Sequence, residues 1–309
     1  MVYFLLVLLA LAFGLIEGVT EWLPISSTGH MVLFEEILKL GGFDMSSYFG
    51  FTHGEDFISL FLVVIQLGAI LAVLVYFFPK LWPFWHIKRK EEDERSQEEI
   101  DIENKKNRRL VWIRWGKTVL GVLPVAVVGL LFEYFDVEEK LSNWICIATT
   151  LIVYGVAFLL VEYLFVGKKE PKYKNIDELP WKIAFLIGLS QILALMPGTS
   201  RSGVTIIAAM LLLSSREAAA EYSFYLSIPV MFGASLLKII SFFRKSGVLC
   251  LNEWLFLGVG MVVAFVISLL VVRWLMAFLK KHTFKGFGYY RIALGIVIVI
   301  VFAIGLAAK

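Results

Sequence analysis

The sequence predicts an all-α polytopic membrane protein with six transmembrane helices and two re-entrant helix-loop-helix hairpins, arranged as an inverted-topology repeat. Three observations predict this class. The 309 residues are 59% hydrophobic and only 18% charged, with a mean hydropathy of +0.81, whereas soluble domains are about a quarter charged. Six stretches are apolar over about 20 residues, the length that crosses a bilayer core. Two more apolar regions, 1–38 and 181–213, are each interrupted by a polar string.

The six predicted spans are continuous apolar stretches of membrane-crossing length. They cover residues 57–78, 111–135, 144–166, 222–243, 254–279 and 292–306. The apolar start of the chain, 1–14, has neither a basic flank nor a small-residue cleavage site, so we expect it to belong to the mature protein.

The two interrupted regions are predicted to be re-entrant hairpins. The first contains Glu17-Gly-Val-Thr-Glu-Trp-Leu-Pro-Ile-Ser-Ser-Thr-Gly-His30, and the second contains Pro197-Gly-Thr-Ser-Arg-Ser-Gly-Val-Thr205. Proline and glycine end helices and leave backbone groups that lipid cannot satisfy. Such backbone occurs at membrane depth only where protein buries it or where it lines a cavity. Both regions are therefore expected to enter the membrane and turn back.

Lysine and arginine residues orient the predicted spans. The segments 80–109 and 167–182 are rich in both, and two spans separate them, so both segments belong on the cytoplasmic side. The segment 133–139 between them is acidic and belongs outside. Arg244 and Lys245 also fall outside, as an exception to the rule.

This orientation makes the two halves of the chain, 1–166 and 167–309, inverted repeats. The first hairpin enters from outside, the second enters from the cytoplasm, and three spans follow each hairpin. The broken helices of such repeats meet near the membrane midplane. The charged cytoplasmic loop of the first half, 79–110, mixes acidic and basic residues, and we expect it to be solvated and partly helical.

The first polar string combines groups suited to acid-base and nucleophilic chemistry. Glu17 and Glu21 share one face of a helix, where they can share a proton, bind a divalent ion or act as a general base. Hydroxyl groups follow, close to His30, at Ser26, Ser27 and Thr28. Hydroxyls beside an imidazole form an activated nucleophile, or an acid-base pair that acts on a leaving group.

The second polar string predicts a cradle for a phosphate group. Gly198 and Gly203 let the backbone approach a ligand closely, and Arg201 can bind a phosphate with two parallel hydrogen bonds. Hydroxyl donors are present at Ser200, Ser202 and Thr205. If a helix begins at Val204, its N-terminal amides add to this anion site.

Each of these assignments has a structural alternative. Helix packing is the alternative for four hydroxyl residues, Ser26, Thr28, Thr199 and Ser202. Ionisable groups at membrane depth cost several kcal/mol unless they are paired or line a wet cavity, so the charged residues of both strings indicate a functional site, with phosphate chemistry inside the membrane. A purely structural ion pair between Glu21 and Arg201 stays open as an alternative.

The other histidines and the cysteines predict no further site. His86 and His282 lie in basic interfacial loops, and we expect His53 on a surface loop before the first long span. Cys146 and Cys250 have no metal or disulfide spacing, so we expect free thiols that pack in apolar surroundings.

The two strings resemble the sequence motifs of the undecaprenyl-diphosphate phosphatase family, the membrane enzymes also called bacitracin-resistance proteins. The match includes Glu17-Gly-x-Thr-Glu-x-Leu-Pro-Ile-Ser-Ser-Thr-Gly-His30 and Pro197-Gly-x-Ser-Arg-Ser-Gly203. Three shorter stretches match as well: Ile65-Gln-Leu-Gly-Ala-Ile70, Ala220-Glu-Tyr-Ser-Phe224 with Ile228-Pro229, and Tyr290-Arg-Ile292. These stretches are spread along the chain, so the resemblance covers nearly all of it.

The resemblance implies hydrolysis of a C55 isoprenyl diphosphate to the monophosphate and phosphate, which recycles the lipid carrier for peptidoglycan and surface polysaccharides. It also implies a plasma-membrane protein, often a homodimer, whose inverted-repeat fold opens its site toward the extracytoplasmic face. The charged insert 88–109 is less typical of the family, and it bears only on the cytoplasmic surface.

By position, the resemblance also implies roles for residues in both strings. Ser27 would be the nucleophile and His30 its acid-base partner. Glu17 and Glu21 would match the catalytic or metal-associated carboxylates, with Mg2+ or Ca2+ as the divalent cation. The phosphate-binding residues would be Ser200, Arg201 and Thr205, and the strings offer further phosphate-binding candidates in Ser26, Thr28, Gly198 and Ser202.

Other function classes are alternatives to this phosphatase. A transporter or flippase of a lipid-linked or anionic substrate also fits broken helices in an inverted repeat, but transport does not require a serine-histidine pair facing a phosphate cradle. A purely structural scaffold leaves the buried charges unexplained. Membrane phosphatases of the acid-phosphatase type use a second histidine as nucleophile, and no histidine downstream of His30 has a comparable setting.

Overall fold

The computed structural model describes residues 2–43, 49, 51–84, 96–135, 137, 141–164, 170–245 and 247–307. Part of the predicted charged loop, 85–95, lies outside the described residues, as do the loop residues at 136, 138, 139, 168 and 169 that helped to orient the spans. Within the described ranges the chain is helical without β-strands, and one isolated bridge joins Tyr173 and Ser214. The prediction of an all-α protein is therefore confirmed.

Eleven α-helices, numbered α1 to α11, make up most of the described chain. They are α1 Val2–Thr20, α2 Ser27–Leu40, α3 Gly54–Tyr76, α4 Phe78–Leu81, α5 Gln97–Tyr134, α6 Trp144–Leu164, α7 Trp181–Ser190, α8 Arg201–Leu211, α9 Arg216–Lys245, α10 Leu251–Phe278 and α11 Lys285–Ala307. Two 3-10 turns flank α7, at Ile176–Glu178 and Gln191–Leu195.

Seven of the described helices are long and apolar enough to cross a membrane: α1, α3, α5, α6, α9, α10 and α11. The sequence predicts six, because it treats 1–38 as a single interrupted hairpin. In the structure the break comes only after Thr20, so the 19 residues before it form an unbroken helix. At 1.5 Å per residue this helix is about 28 Å long, close to the thickness of a bilayer core. The described residues therefore contain seven helices of crossing length, one more than the six predicted spans, and the additional one, α1, lies within the first predicted hairpin.

Several helices begin earlier than the sequence suggests, and capping explains two of these starts. Helix α5 has 38 residues and starts within the charged loop, because Ser96 and Glu99 cap each other's backbone amides. Residues 97–110 of that loop are therefore helical, which agrees with the expectation of a partly helical loop. Helix α8 begins at Arg201 and not at Val204, because the hydroxyl of Ser200 caps its first turn.

The helices pack in pairs that correspond between the two halves of the chain. Helix α1 packs on α10 as α7 packs on α5, and α3 packs on α10 as α9 packs on α5. Helix α2 lies on α11 as α8 lies on α6. Glycines permit the closest crossings: a Cβ on Gly14 would lie 2.6 Å from the carbonyl oxygen of Gly260, and a Cβ on Gly155 would lie 2.8 Å from that of Gly288. Small residues at such crossings let helix backbones approach each other in lipid.

Buried ion pairs also join helices. Arg216 at the start of α9 donates two hydrogen bonds to Glu162 of α6, at 2.9 and 2.7 Å. His53 is 3.2 Å from the carboxylate of Glu253 at the start of α10, and its side chain is only 12% exposed. The histidine expected on a surface loop therefore contacts a buried carboxylate.

Candidate active site

The loops that lead into α2 and α8 have the same local geometry. Ser26 and Ser200 are the N-cap residues, and both have positive φ angles, 73° and 67°. Each hydroxyl accepts a hydrogen bond over 3.3 Å from the amide three residues later, that of Gly29 or Gly203. Positive φ is unfavourable for a residue with a Cβ, and such strain is concentrated at functional sites. The two loops are therefore equivalent, strained helix starts.

Glu21 is at the centre of the site, because its two carboxylate oxygens bind residues from both loops. Ser27 Oγ donates to Glu21 Oε2 over 2.6 Å, and Arg201 Nη2 donates to Glu21 Oε1 over 2.6 Å. The Glu21 residue is only 8% exposed. Two helix starts from opposite halves of the chain thus converge on one buried carboxylate.

Glu17 lies one helical turn before Glu21 and is 4% exposed. The Glu21 amide donates to the Glu17 carbonyl over 3.0 Å, so the helical geometry of α1 continues to Glu21 and the two carboxylates share a face, as predicted. Both Glu21 and Arg201 interact electrostatically with Glu17. The site therefore contains two acidic groups and one basic group in a buried environment.

His30 is held by two partners. Its Nδ1 lies 2.7 Å from the Ser26 carbonyl oxygen, and its Nε2 lies 2.7 Å from the hydroxyl of Tyr290. A carbonyl oxygen only accepts hydrogen bonds, so Nδ1 carries the proton. In the neutral ring Nε2 therefore accepts the hydrogen bond from Tyr290.

The partners of Ser27 and His30 differ from the nucleophile and acid-base pair that the resemblance implies. Ser27 and His30 both lie in the first turn of α2, but the Ser27 hydroxyl donates to Glu21, while His30 binds the Ser26 carbonyl and Tyr290. The group that holds the Ser27 proton is therefore a carboxylate. This arrangement leaves the imidazole available for a separate proton transfer.

The predicted phosphate-binding residues fall into different settings. The buried Thr205 hydroxyl lies 2.7 Å from Ser223 Oγ and 3.0 Å from the Arg201 carbonyl oxygen, so it packs α8 against α9. Thr28 is exposed. Gly198 has a φ of 82°, and a Cβ there would collide with the backbone of α6, so the position requires glycine. Of the predicted phosphate-binding residues, Ser26, Ser200 and Ser202 have hydroxyls at the helix starts.

Arg291 of α11 ties the two loops together and is a residue that sequence reasoning missed. Its side chain is fully buried, Nη1 donates to the Pro24 carbonyl over 3.2 Å, and Nη2 donates to the carbonyls of Gly198 and Thr199 over 3.1 and 2.9 Å. The sequence starts the last span at 292 and so leaves this arginine at its edge. The sequence signal that could have identified Arg291 is its charge next to an apolar span, because such a charge needs partners.

Glu17 and Glu21 are the carboxylates that fit a divalent cation. The described residues contain no group of three or more His, Cys, Asp or Glu side chains that would form a metal cage made of protein alone. Mg2+ is commonly held by one or two carboxylates together with substrate phosphates. A neighbouring carboxylate pair fits that mode, and its oxygen donors favour Mg2+ or Ca2+ over softer metals.

The arrangement has the parts of a phosphoryl-transfer site. A serine hydroxyl whose proton is held by a base is an activated nucleophile. Arg201 supplies positive charge beside it. The first amides of α2 and α8 add further donors for phosphate oxygens.

Known proteins are similar to this sequence over nearly its whole length. The family model described as "Bacitracin resistance protein BacA" matches residues 10–297. "Undecaprenyl-diphosphatase 1" of Clostridioides difficile (strain 630) is 47% identical over 294 residues, which cover 95% of each chain. "Undecaprenyl-diphosphatase" of Limosilactobacillus fermentum is 44% identical over 299 residues, 96% of this chain and 98% of the relative. The corresponding protein of Streptococcus mutans serotype c is 43% identical over 289 residues, 94% of this chain and 93% of the relative.

The family model spans both polar strings and every other stretch that carries the resemblance. The expectation drawn from those motifs is therefore confirmed, and so is a resemblance over nearly the whole chain. The chain belongs to the bacitracin resistance protein BacA family.

Proposed function

We propose that this chain is an integral membrane phosphatase that hydrolyses undecaprenyl diphosphate to undecaprenyl phosphate and phosphate. The observation that carries the proposal is the buried cluster in which Glu21 binds both the Ser27 hydroxyl and the Arg201 guanidinium. The relatives that match along the whole chain are named for hydrolysis of this diphosphate. The family membership and the cluster thus point to the same reaction.

The reaction recycles the lipid carrier used in cell-wall biogenesis. A C55 tail is too apolar to leave the bilayer, so the diphosphate must be met at the membrane. Seven helices of crossing length make the chain a multi-pass membrane protein, as this substrate requires. Bacitracin resistance, the property for which the family is described, is expected to follow from the same activity.

The geometry leads to a two-step mechanism. In the first step Ser27 Oγ attacks the terminal phosphorus, its proton passes to Glu21, and the bond from phosphorus to the bridging oxygen breaks to release undecaprenyl phosphate. In the second step water attacks the phosphorus of the phosphoserine, and the bond from phosphorus to Ser27 Oγ breaks to release phosphate. The proton of the water passes to His30 Nε2 and then to solvent, and Glu21 returns the first proton to Ser27 Oγ. Arg201 stabilises the charge on the transferring oxygens in both steps.

A divalent cation belongs to the same proposal. Glu17 and Glu21 would hold Mg2+ or Ca2+ together with diphosphate oxygens, and the bound ion would supply positive charge to those oxygens. We expect a chelator to lower phosphate release by the purified protein by roughly tenfold or more, and added Mg2+ or Ca2+ to restore it. Full turnover in the metal-free protein would contradict this part of the proposal.

The finer architecture is also a proposal: the halves 1–166 and 167–309 are inverted repeats. Its support is the matched helix starts at Ser26 and Ser200 and the matched packing of α1 on α10 and α7 on α5. Helices α2 and α8, with 14 and 11 residues, are too short to cross a core of about 30 Å, which favours re-entry. The re-entrant segments would be 1–38 and 181–213.

The assembly and sidedness follow from the family resemblance. We expect the site to open toward the extracytoplasmic face of the plasma membrane and the protein to form a homodimer. The orientation is supported by the basic segments assigned to the cytoplasm.

Phosphate release in detergent micelles and in liposomes distinguishes this function from transport. A phosphatase releases phosphate from undecaprenyl diphosphate in micelles, where no second leaflet exists, and it does so in liposomes as well. A transporter or flippase moves lipid between leaflets and releases no phosphate. Purified, folded protein that moves lipid but releases no phosphate in either setting would contradict the proposal.

A further inference from the structure

Tyr290 of α11 makes a specific contact with the imidazole of His30. Its hydroxyl lies 2.7 Å from His30 Nε2, and the two rings are parallel, with centroids 5.6 Å apart and an interplanar angle of 10°. The contact joins α2 to the last helix of the chain. Tyr290 is still 46% exposed, so it lies between the imidazole and the protein surface.

The hydrogen bonds determine how the imidazole is used. Because Nδ1 donates to the Ser26 carbonyl, Nε2 is the only ring nitrogen that can take up or release a proton. Tyr290 contacts that nitrogen. A phenol hydroxyl both donates and accepts, so it can donate to the neutral ring and accept from the protonated ring without any change in ring position.

The position of Tyr290 is fixed by the residue that follows it. Arg291 donates to backbone carbonyls in both active-site loops, at Pro24 in the first and at Gly198 and Thr199 in the second. These hydrogen bonds fix the position of α11 relative to both loops. The tyrosine contact is therefore tied to the geometry of the site.

We propose that Tyr290 is a positioning residue for catalysis: its hydroxyl holds His30 Nε2 in both protonation states. The proposal rests on the proposed phosphatase function and deepens it. Ring stacking alone would tolerate phenylalanine, because Phe and Tyr present the same ring face. The hydroxyl is needed only if its hydrogen bond to His30 contributes to catalysis. Removing that one oxygen atom therefore tests the proposal.

Tyr290→Phe in the full-length protein, with Tyr289→Phe as matched control, tests the proposal by steady-state kinetics. The neighbouring Tyr289 is also half-exposed, and its hydroxyl lies 3.3 Å from that of Tyr163, away from His30. We expect Tyr290→Phe to lower kcat for phosphate release about tenfold or more with KM within about twofold of wild type, because a group that acts on proton transfer affects the chemical step. We expect Tyr289→Phe to match wild type.

A spectroscopic readout separates positioning from packing. In protein with 15N-labelled imidazoles, His30→Gln identifies the His30 signals among those of the four histidines. Tyr290→Phe should shift the Nε2 signal of His30 and leave the Nδ1 signal and the other histidines unchanged. Tyr289→Phe should shift none of them.

Three outcomes would overturn the proposal. They are a Tyr290→Phe enzyme with wild-type kcat, an equal loss of kcat in Tyr289→Phe, or a His30 Nε2 signal that does not respond to Tyr290→Phe. Failure of the wild-type protein to release phosphate would instead contradict the proposed function, and the imidazole signal would still report on the contact.

Discussion

At the residue scale, the proposed chemistry depends on one carboxylate with two partners. Glu21 accepts a hydrogen bond from the Ser27 hydroxyl through one oxygen and holds Arg201 through the other. The arginine supplies positive charge beside the carboxylate, and the carboxylate keeps the arginine beside the proposed nucleophile. Bound phosphate would compete with Glu21 for Arg201, so substrate binding releases Glu21 to act as a base.

Glu21→Gln should lower kcat for phosphate release about 10^3-fold, because the amide keeps the size of the side chain but cannot accept the Ser27 proton. The matched control is Glu162→Gln, which removes the charge of the other buried Arg–Glu pair. We expect that variant to lose stability and to keep the turnover of its folded fraction. Equal turnover in Glu21→Gln and wild type would contradict the assignment.

The double variant Glu21→Gln/Arg201→Met addresses the alternative that this ion pair is only structural. A structural pair can be replaced by neutral residues with little loss, since no buried charge is left unpaired. Because the proposed mechanism has both residues act on the substrate, the double variant should be folded in detergent and as inactive as Glu21→Gln. Recovery of turnover would favour the structural alternative.

Part of the site could be predicted from the sequence at this scale, for a physical reason. Glu17, Glu21 and Arg201 stand out because a charge in an apolar stretch requires a partner or a wet cavity. The partners themselves depend on folding: Tyr290 is 260 residues from His30, and no local pattern indicates that their rings stack. The Ser27–Glu21 bond likewise depends on how the chain turns after α1.

At the element scale, close helix crossings at glycine bring the two loops together. Helix α7 crosses α5 where Gly188 meets Gly121, and α1 crosses α10 where Gly14 meets Gly260. These crossings hold the helices that precede the two active-site loops. They allow close approach because glycine has no Cβ.

Gly188→Ala should destabilise the protein by about 1–3 kcal/mol, because the added Cβ would collide with the backbone of Gly121, which has no side chain that could move aside. Thermal unfolding in detergent measures the effect as a lower Tm. The control is Gly258→Ala in α10, where a Cβ would meet nothing within 4 Å, so Tm should not fall. Equal Tm values for the two variants would contradict the importance of this crossing.

The helix boundaries show which signals the sequence contains at this scale. The capping box at Ser96 and Glu99 is visible as a serine followed three residues later by glutamate, and it explains why α5 starts inside the charged loop. The apolar pattern does not reveal the seventh crossing-length helix, because Glu17 interrupts it. A charge that is buried in protein does not end a helix, and α1 continues past it to Thr20.

At the scale of the whole molecule, the two halves contribute different groups to one site. The first half provides the carboxylates, Ser27 and His30, and the second provides Arg201 and the residues that hold both loops in place. The all-α membrane class could be predicted because apolar length is a property of whole segments. The contacts between the two halves could not be predicted from the sequence, because they depend on many small contacts at glycine crossings.

The proposed orientation predicts which side of the membrane each loop faces. After Cys146 and Cys250 are replaced by serine, single cysteines at Gln97 and Val248 report on the two sides; both positions are exposed. An impermeant thiol reagent applied to intact cells should label Val248→Cys, and it should label Gln97→Cys only after permeabilisation. The reverse pattern would invert the proposed topology and with it the side on which the site opens.

The central claim is that the Ser27 hydroxyl, held by Glu21 beside Arg201, attacks the diphosphate. The most direct test is phosphate release from undecaprenyl diphosphate by purified Ser27→Ala, with Ser190→Ala as control. The Ser190 hydroxyl donates to the carbonyl of Ile187 in its own helix over 2.6 Å. We predict a loss of at least about 10^3-fold in kcat for Ser27→Ala and wild-type turnover for Ser190→Ala. A folded Ser27→Ala protein with turnover within tenfold of wild type would contradict the claim.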